Sequence, residues 1–428
     1  MSIGAAAAPG PAAPLSAWLD WQLACHRDEI QLGLARVSAV ADRLGLREAP
    51  PLTLTIGGTN GKGAATRLAA DLLQRAGHRV GQFTSPHLHH YAERIVINGA
   101  QVSDATIVEA FEAIERVRGD TPLTYFEFGT LAALWLFRAR GCTAQVLEVG
   151  LGGRLDAVNL LDADAALITS IGTDHRDWLG DLREQIALEK AGIYRAGRIA
   201  VCAEPDPPVG FSDVLTAFGV RAGMIGEQFA VLASGLADWQ FRGPDGVVHT
   251  LPLPPKMPGG HQLRNAAGVL ALLDALGDRV VLPDGAIADA LRCWSLPGRF
   301  EHRGNVVLDV AHNTEAALAL AALLPTLSQP VHLVLGMLAD KPCEDVMAAL
   351  APQVQHVVLV DTPGPRGLSS LALAARLGSG GAAALQCQTM AAALTVARRG
   401  AGTVLVCGSF LTVVAARECL IEEEAASG

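Results

Sequence analysis

The chain has 428 residues, of which 50% are hydrophobic and 18% are charged, and its formal net charge is −10. This length and composition predict a globular protein of two or three compact units. The acidic balance argues against a nucleic-acid-binding surface, which needs clustered Lys and Arg, but it allows an anionic ligand in a local basic pocket. No apolar run approaches the roughly 18 residues that a membrane span needs.

Residues 1–16 are rich in Ala and Pro, and no positive charge precedes Arg27. Because a secretory signal begins with a charged segment, we expect a disordered leader instead. The eight cysteines are scattered without a CxxC pair, which predicts reduced thiols in a cytoplasmic protein. We also expect the protein to be a monomer.

Residues 54–64 read Leu-Thr-Ile-Gly-Gly-Thr-Asn-Gly-Lys-Gly-Ala, and a helix-compatible segment runs from there to Ala76. This order predicts a strand, a phosphate-binding loop and a helix. Glycines allow backbone N–H groups to converge on phosphate oxygens, and Lys62 adds a positive charge for the β and γ positions. We therefore predict a nucleoside triphosphate as ligand. The alternative is a glycine-rich turn that binds nothing.

This loop departs from the usual Walker pattern. Ile56 occupies the position of the first glycine, and Gly63 occupies the position where Ser or Thr would bind Mg²⁺. The metal must therefore find its protein ligands in other segments.

Three later strands deliver polar residues that suit this role. Ser85 follows a strand over 79–83, Glu148 lies in an apolar strand over 144–149, and His175 follows a strand over 163–171. Ligands of open α/β sheets bind at the carboxyl ends of the strands. A carboxylate inside a strand needs a cation. The alternatives are that Glu148 lies at an exposed strand tip and that His175 is an ordinary polar loop residue.

Two further segments bear on the site. The loop over 150–156 has more glycines than packing requires, which suits close approach of a ligand. Lys190 lies in a predicted helix, and its residue chemistry alone indicates a surface lysine.

The pattern changes near Pro297 and Gly298, where we predict a domain boundary. Beyond it, four apolar strands alternate with crossover helices, without a glycine fingerprint for a dinucleotide. The predicted fold class is therefore α/β, with a P-loop ATPase domain over 17–297 and a smaller, Rossmann-like doubly wound domain over 298–428.

Several ordered motifs resemble those of the folylpolyglutamate synthases of the Mur ligase family. They are residues 58–63, 84–88, 126–127, 147–156, 174–175, 189–193, 297–300, 309–313 and 408–410. Residues 32–34, 124–127, 364–367 and 406–410 are most similar to the bifunctional bacterial members. The resemblance implies an N-terminal domain of the Mur ligase type and a C-terminal domain on the glutamate side. The implied activity is ATP-dependent ligation of L-glutamate, first to dihydropteroate and then to reduced folates.

The resemblance also implies site residues. ATP as co-substrate would contact Gly58, Thr59, Asn60, Gly61, Lys62, Gly63, Asn265, Arg299, Asp309 and His312. One or two Mg²⁺ ions would be held by Ser85, Glu148, His175 and Lys190, the last as a carbamate. The pterin or folate would contact Leu32, Thr124, Phe126, Glu127, Leu155, Asp156 and Ala157. Lys62, Lys190 and His175 would be the catalytic residues.

Other interpretations remain open. Ala64 stands where the family usually has Ser or Thr, which leaves room for a non-catalytic nucleotide- and folate-binding homologue. A muropeptide-type ligase would not need the pterin-like motifs, and a P-loop GTPase or kinase would need Ser or Thr in place of Gly63. An enzyme with only the folylpolyglutamate synthase activity is a further possibility.

Overall fold

A computed structural model describes residues 8–10, 12–25 and 31–427. The leader predicted for residues 1–16 lies partly outside the described residues, because 1–7 and 11 are not described. Within that stretch Leu15 begins the first helix, and its side chain is buried.

The helices of the first half are α1 (Leu15–Cys25), α2 (Ala35–Arg43), α3 (Lys62–Arg75), α4 (Asp104–Arg118), α5 (Tyr125–Ala139), α6 (Arg176–Leu179), α7 (Arg183–Ala191), α8 (Phe211–Ala217), α9 (Gly260–Asp274) and α10 (Ala286–Cys293). Its strands are β1 (Leu52–Gly57), β2 (Val80–Phe83), β3 (Ile95–Ile97), β4 (Ala100–Gln101), β5 (Ala144–Glu148), β6 (Ala165–Ile168), β7 (Ile199–Cys202), β8 (Ala222–Met224), β9 (Ala230–Ser234), β10 (Asp238–Arg242) and β11 (Val248–Pro252).

Eight of these strands form one sheet in the order β4-β3-β2-β5-β1-β6-β7-β8. The pairs from β2 to β8 are parallel, whereas β3 and β4 run antiparallel at one edge. Strands β1, β5 and β6 are buried along their whole length, as expected for parallel strands with both faces covered. The carboxyl ends of β1, β2, β5 and β6 therefore meet at one edge of the sheet.

A three-stranded antiparallel sheet, β11-β10-β9, follows, which the sequence analysis did not predict. In β10, Trp239 and Phe241 are buried and alternate with exposed residues. This alternation is typical of a sheet with one face in a core.

The second half contains the strands β12 (Glu301–Arg303), β13 (Val306–Leu308), β14 (Val331–Leu335), β15 (His356–Val360), β16 (Leu385–Cys387) and β17 (Thr403–Cys407). Its helices are α11 (Thr314–Ala321), α12 (Cys343–Leu350), α13 (Ser370–Leu377), α14 (Ser379–Ala382), α15 (Met390–Ala397) and α16 (Phe410–Ser427).

The six strands form a sheet in the order β12-β13-β17-β14-β15-β16, in which β12 alone runs antiparallel to its neighbour. The prediction of four strands was therefore too low. The two missed strands are the edge strands, each three residues long and without a fully buried residue. Such strands lack the apolar run on which a sequence-based prediction depends.

The chain divides into two compact units: residues up to Leu253 with Arg264–Arg292, and Pro254–Leu263 with Cys293–Gly428. Separate groups of buried hydrophobic side chains fill the large sheet of the first unit and the sheet of the second. The predicted α/β fold class is confirmed, and so is the predicted order of a strand, a glycine loop and a helix, which are β1, residues 58–61 and α3. Within the described residues, no helix combines the length and apolar character that crossing a bilayer requires.

Candidate active site

The glycine loop joins β1 to α3, and its last residues lead directly into the helix. Gly58 and Gly61 have φ angles of 142° and 87°, which residues other than glycine rarely adopt. A Cβ atom on Gly58 would lie 1.9 Å from Thr169 Oγ1, so only glycine fits there. Lys62 is the first residue of α3, and its Nζ donates to the carbonyl oxygens of Gly58 and Thr59, each at 3.1 Å. This places a cation and a helix N-terminus at the loop.

Two hydroxyl residues after β6 hold this loop from the side. Thr169 Oγ1 donates to Asn60 O at 2.7 Å and lies 3.1 Å from Gly57 O. Asn60 N in turn donates to Ser170 Oγ at 2.9 Å. The sequence analysis did not single out Thr169 and Ser170. The available signal was a pair of hydroxyl residues directly after a buried apolar strand.

Glu148 is the last residue of β5 and pairs in register with Ile56 of β1. Its side chain is only 4% exposed, so the alternative of an exposed strand tip is wrong. Ser85 N donates to Glu148 Oε2 at 3.1 Å, which brings these two predicted ligands together.

The segment that carries Ser85 is held by Glu93. The Glu93 carboxylate accepts hydrogen bonds from the backbone N–H groups of Leu88, His89 and His90 at 2.7 to 2.9 Å. These bonds lower the pKa of Glu93 against the opposing effect of its partial burial, so the carboxylate stays ionised. Sequence reasoning missed this residue, although an acid close after a proline-containing turn was visible.

The donor set suits a hard divalent cation. The Ser85 hydroxyl and the Glu148 carboxylate supply oxygen ligands of the kind that Mg²⁺ prefers. His175 lies further along the same edge, exposed, with φ 53° at the start of α6. Within the described part of the chain, no three His, Cys, Asp or Glu side chains converge as a metal site. A metal at Ser85 and Glu148 would therefore need further ligands, from His175, nucleotide phosphates or water.

Lys190 is 3% exposed, so the surface position indicated by its residue chemistry is wrong. Burial, together with the positive charge of Lys62, lowers the pKa of Lys190 to about 7, while Asp174 and Asp156 act in the opposite direction. Lys62, Asp156 and Asp174 therefore lie near enough to act on Lys190, and these four residues form one electrostatic cluster.

The residues predicted to bind the pterin or folate, which is the acceptor substrate, gather beside this cluster. A Cβ atom on Gly150 would lie 2.7 Å from the Phe126 ring and 3.2 Å from Asp156 Oδ2, so the glycine allows both side chains to approach. Asp156 accepts from Leu151 N at 2.8 Å and Val158 N at 3.0 Å. Burial nevertheless raises the pKa of Asp156 to about 6.

Arg36 connects two segments that carry other residues predicted to bind the acceptor substrate. Its Nη2 donates to Glu127 Oε1 at 3.1 Å and to Gln31 O at 2.9 Å. Glu127 also accepts from Thr124 N at 2.7 Å, closing the first turn of α5. The segment with Leu32 contacts the glycine-rich loop because Gly33 N donates to Leu155 O at 3.2 Å. Ala157 follows Asp156 and is buried.

Of the remaining predicted ATP contacts, Asn265 belongs to the first unit. Its side chain lies where a Cβ atom on Gly61 would be, within 2.5 Å of that point, so Asn265 borders the phosphate loop.

Arg299, Asp309 and His312 belong to the second unit and gather there. Asp309 accepts from Phe300 N at 2.8 Å and Ala311 N at 2.9 Å, and burial raises the pKa of Asp309 against the opposing effect of Arg299. The Arg299 guanidinium lies 5.1 Å from the centre of the Phe410 ring, and the His312 ring lies 6.1 Å from it.

Two models of known protein families match this chain. Residues 56–273 match the family model of the Mur ligase middle domain, and residues 298–410 match that of the Mur ligase glutamate ligase domain. The dihydrofolate synthase/folylpolyglutamate synthase of Escherichia coli K12 is 41% identical over 417 residues, covering 96% of this chain and 97% of that protein.

Two solved structures extend this likeness to the fold. E. coli FolC in complex with DHPP and ADP has a TM-score of 0.91 at 40% identity, covering 97% of this chain and 100% of that one. The bifunctional folylpolyglutamate synthase/dihydrofolate synthase of Yersinia pestis, complexed with AMPPNP and a Mn ion, has a TM-score of 0.89 at 41% identity, with the same coverage.

Proposed function

The chain belongs to the Mur ligase family, in its dihydrofolate synthase/folylpolyglutamate synthase group, and from this premise we propose that it uses ATP to ligate L-glutamate to dihydropteroate and to reduced folates. The observation that carries the proposal is the near-complete coverage of bifunctional relatives at about 40% identity. The geometry supports it, because the phosphate loop, the Ser85–Glu148 contact and the side chains of Phe126 and Asp156 beside Gly150 lie at one sheet edge.

The chemistry follows from the weakness of a carboxylate as an electrophile. An oxygen of the acceptor carboxylate attacks the γ-phosphorus of ATP and releases ADP, which gives an acyl phosphate. The amine of glutamate then attacks the acyl carbon, the C–O bond to phosphate breaks, and the amine loses a proton. No enzyme nucleophile is needed, so positioning and electrostatic stabilisation account for the protein's contribution.

The residues of the first unit supply that stabilisation. Lys62, the backbone N–H groups of the glycine loop and the start of α3 neutralise charge on the transferring phosphoryl group. Thr169 and Ser170 keep the loop in place before the nucleotide arrives. Ser85, Glu148 and His175 would hold Mg²⁺, whose charge neutralises phosphate oxygens when it is bound.

We further propose that Lys190 is carbamylated. Its burial favours the neutral amine, which is the form that attacks CO₂. The carbamate would carry a negative charge toward Lys62 and supply oxygen atoms for a second metal ion. The cluster with Lys62 supports this, because an anion at Lys190 replaces repulsion between two cations by attraction.

The decisive experiment mixes the purified protein with ATP, Mg²⁺ and L-glutamate, adds dihydropteroate or tetrahydrofolate, and measures phosphate release. Release with both acceptors is the expected result. Release with tetrahydrofolate only would favour the single-activity alternative. Nucleotide binding without release for either acceptor would favour the non-catalytic homologue and contradict the proposal.

The cytoplasmic location and the monomeric state stay predictions. The location is supported by the eight cysteines, which all lie in the described part of the chain and are free thiols there. Sedimentation at several protein concentrations checks the monomer.

A further inference from the structure

Arg94 is a buried cation that the mechanism above does not use. It ends a single turn, Tyr91–Arg94, that leads into β3, and only 9% of its surface is exposed. Its Nε donates to His87 Nδ1 at 2.8 Å. The guanidinium carbon lies 5.3 Å from the centre of the Tyr91 ring and 5.5 Å from that of Tyr125.

No carboxylate of the described residues forms an ion pair with Arg94, and its two terminal nitrogens donate no hydrogen bond to them. The neighbouring acid, Glu93, is committed to three backbone N–H groups. Two aromatic rings and one imidazole compensate a buried guanidinium only in part. A buried arginine with two unused donors is suited to an external carboxylate, which it binds in a bidentate manner.

Arg94 lies between the predicted metal ligand Ser85 and the residues predicted to bind the acceptor substrate. Arg94 O accepts from Thr84 N at 3.0 Å, directly before Ser85. Tyr125, against which the guanidinium packs, lies between the predicted acceptor residues Thr124 and Phe126. Because β3 is antiparallel to β2 and Ile95 pairs with Phe83, Arg94 lies at the carboxyl edge of the sheet.

The sheet order separates Arg94 from the reacting group. The reacting carboxylate must meet the γ-phosphate at the end of β1, whereas β3 lies three positions from β1 in the sheet. Three strand spacings put the backbones of β3 and β1 roughly 14 Å apart. The long side chain of Arg94 spans part of this distance, so its guanidinium is placed for a carboxylate beside the reacting one, such as the α-carboxylate of the same glutamate.

We propose that Arg94 binds the non-reacting carboxylates of a glutamyl tail on the acceptor. This inference rests on the proposed function and deepens it, because it separates the two acceptor classes. Dihydropteroate has one carboxylate, which reacts, whereas a folate that already bears glutamate presents a further carboxylate. Arg94 is then a specificity residue for the second acceptor class.

The test compares dihydropteroate with dihydrofolate, which differ by one glutamyl group. Calorimetric titration of each into the full-length protein with ADP and Mg²⁺ gives two dissociation constants. The wild type binds dihydrofolate more tightly. Arg94→Gln weakens dihydrofolate binding roughly 10- to 100-fold more than dihydropteroate binding, as expected for the loss of a charged hydrogen bond. Arg94→Lys, which keeps the charge, loses less.

The matched control is Arg118→Gln. Arg118 also packs on aromatic rings, those of Trp21 and Phe128, but it is paired with Glu115. We expect this variant to leave the ratio of the two dissociation constants unchanged.

An equal weakening of both ligands by Arg94→Gln would overturn the inference, and so would a wild type that binds both ligands equally. Thermal melting and ADP affinity show whether each variant is folded, and Arg94→Lys gives a second reading if Arg94→Gln does not fold. Absence of turnover in the wild type would contradict the proposed function alone, because the binding ratio does not depend on catalysis.

Discussion

The buried carboxylate of Glu148 contacts the loop that carries Ser85. The carboxylate accepts from Ser85 N at 3.1 Å and lies beside the last residues of β1 in the sheet. The sequence already indicated that an acid in an apolar strand needs a cation. The hydrogen bond puts Ser85 next to this carboxylate, and the binding of one metal ion by both residues stays a prediction.

We predict that Glu148→Gln lowers glutamate-dependent phosphate release at least ~100-fold, because the negative charge that would hold Mg²⁺ at the phosphates is lost. The amide oxygen can still accept from Ser85 N, so the variant keeps the fold. Turnover against Mg²⁺ concentration is the measurement. A variant with near-normal turnover would remove Glu148 from the metal site.

Asp156 is expected to bind the pterin as a carboxylate. Burial raises its pKa to about 6, so the ionised form dominates above pH 6 and is lost as the pH falls through that value. We predict that the KM for dihydropteroate rises below pH 6. Asp156→Asn should have a high KM with no such step. A step that persists in Asp156→Asn would have to come from another group.

Substitution of Lys190 tests the proposal that this lysine is carbamylated. Lys190→Ala should lose most of the glutamate-dependent turnover, and short carboxylic acids such as acetate should restore part of it by supplying the missing oxygens. Intact-protein mass measurement under CO₂ should show the added carbamate in the wild type only. Full activity of Lys190→Ala without any added acid would show that the carbamate is not needed.

Among the structural elements, the first turn of α5 depends on residues far away in sequence. Thr124 and Glu127 close the turn by a reciprocal pair of hydrogen bonds, a pattern that the sequence contains locally. Arg36 of α2 adds an ion pair to Glu127, in which the two side chains are 21% and 4% exposed. Helix α2 thereby fixes the acceptor side of α5.

We predict that Arg36→Met raises the KM for both acceptors roughly 10-fold, since a partly buried ion pair and a backbone contact are lost. The KM for ATP should stay unchanged, because the phosphate loop does not contact this pair. Arg47→Met is the control, since Arg47 and its partner Asp42 are about half exposed. A rise in the KM for ATP would mean that Arg36 acts on the whole first unit.

Prediction of the elements was most accurate where burial is strongest. The sequence indicated strands over 79–83 and 144–149, and the structure has β2 over Val80–Phe83 and β5 over Ala144–Glu148. It missed β12 and β16, whose residues are partly exposed and whose pairing depends on a neighbouring strand. Short edge strands are decided by tertiary pairing rather than by a local apolar pattern.

At the scale of the whole molecule, the order of the strands explains why distant segments form one site. Ser85 follows β2, and Glu148 is the last residue of β5. The glycine loop follows β1, and Thr169 follows β6. These four strands are adjacent and parallel. A parallel sheet requires crossover connections, so neighbours in space come from segments well separated in sequence.

The sequence by itself determined the fold class, the phosphate loop and the family, because glycines, apolar runs and motif spacing are local properties of the chain. Only the tertiary structure decided that Lys190 is buried, that Thr169 and Ser170 hold the loop, and that Arg36 and Arg94 flank the acceptor residues. Burial and the contacts of long polar side chains depend on elements packed from elsewhere in the chain. No single segment carries that information.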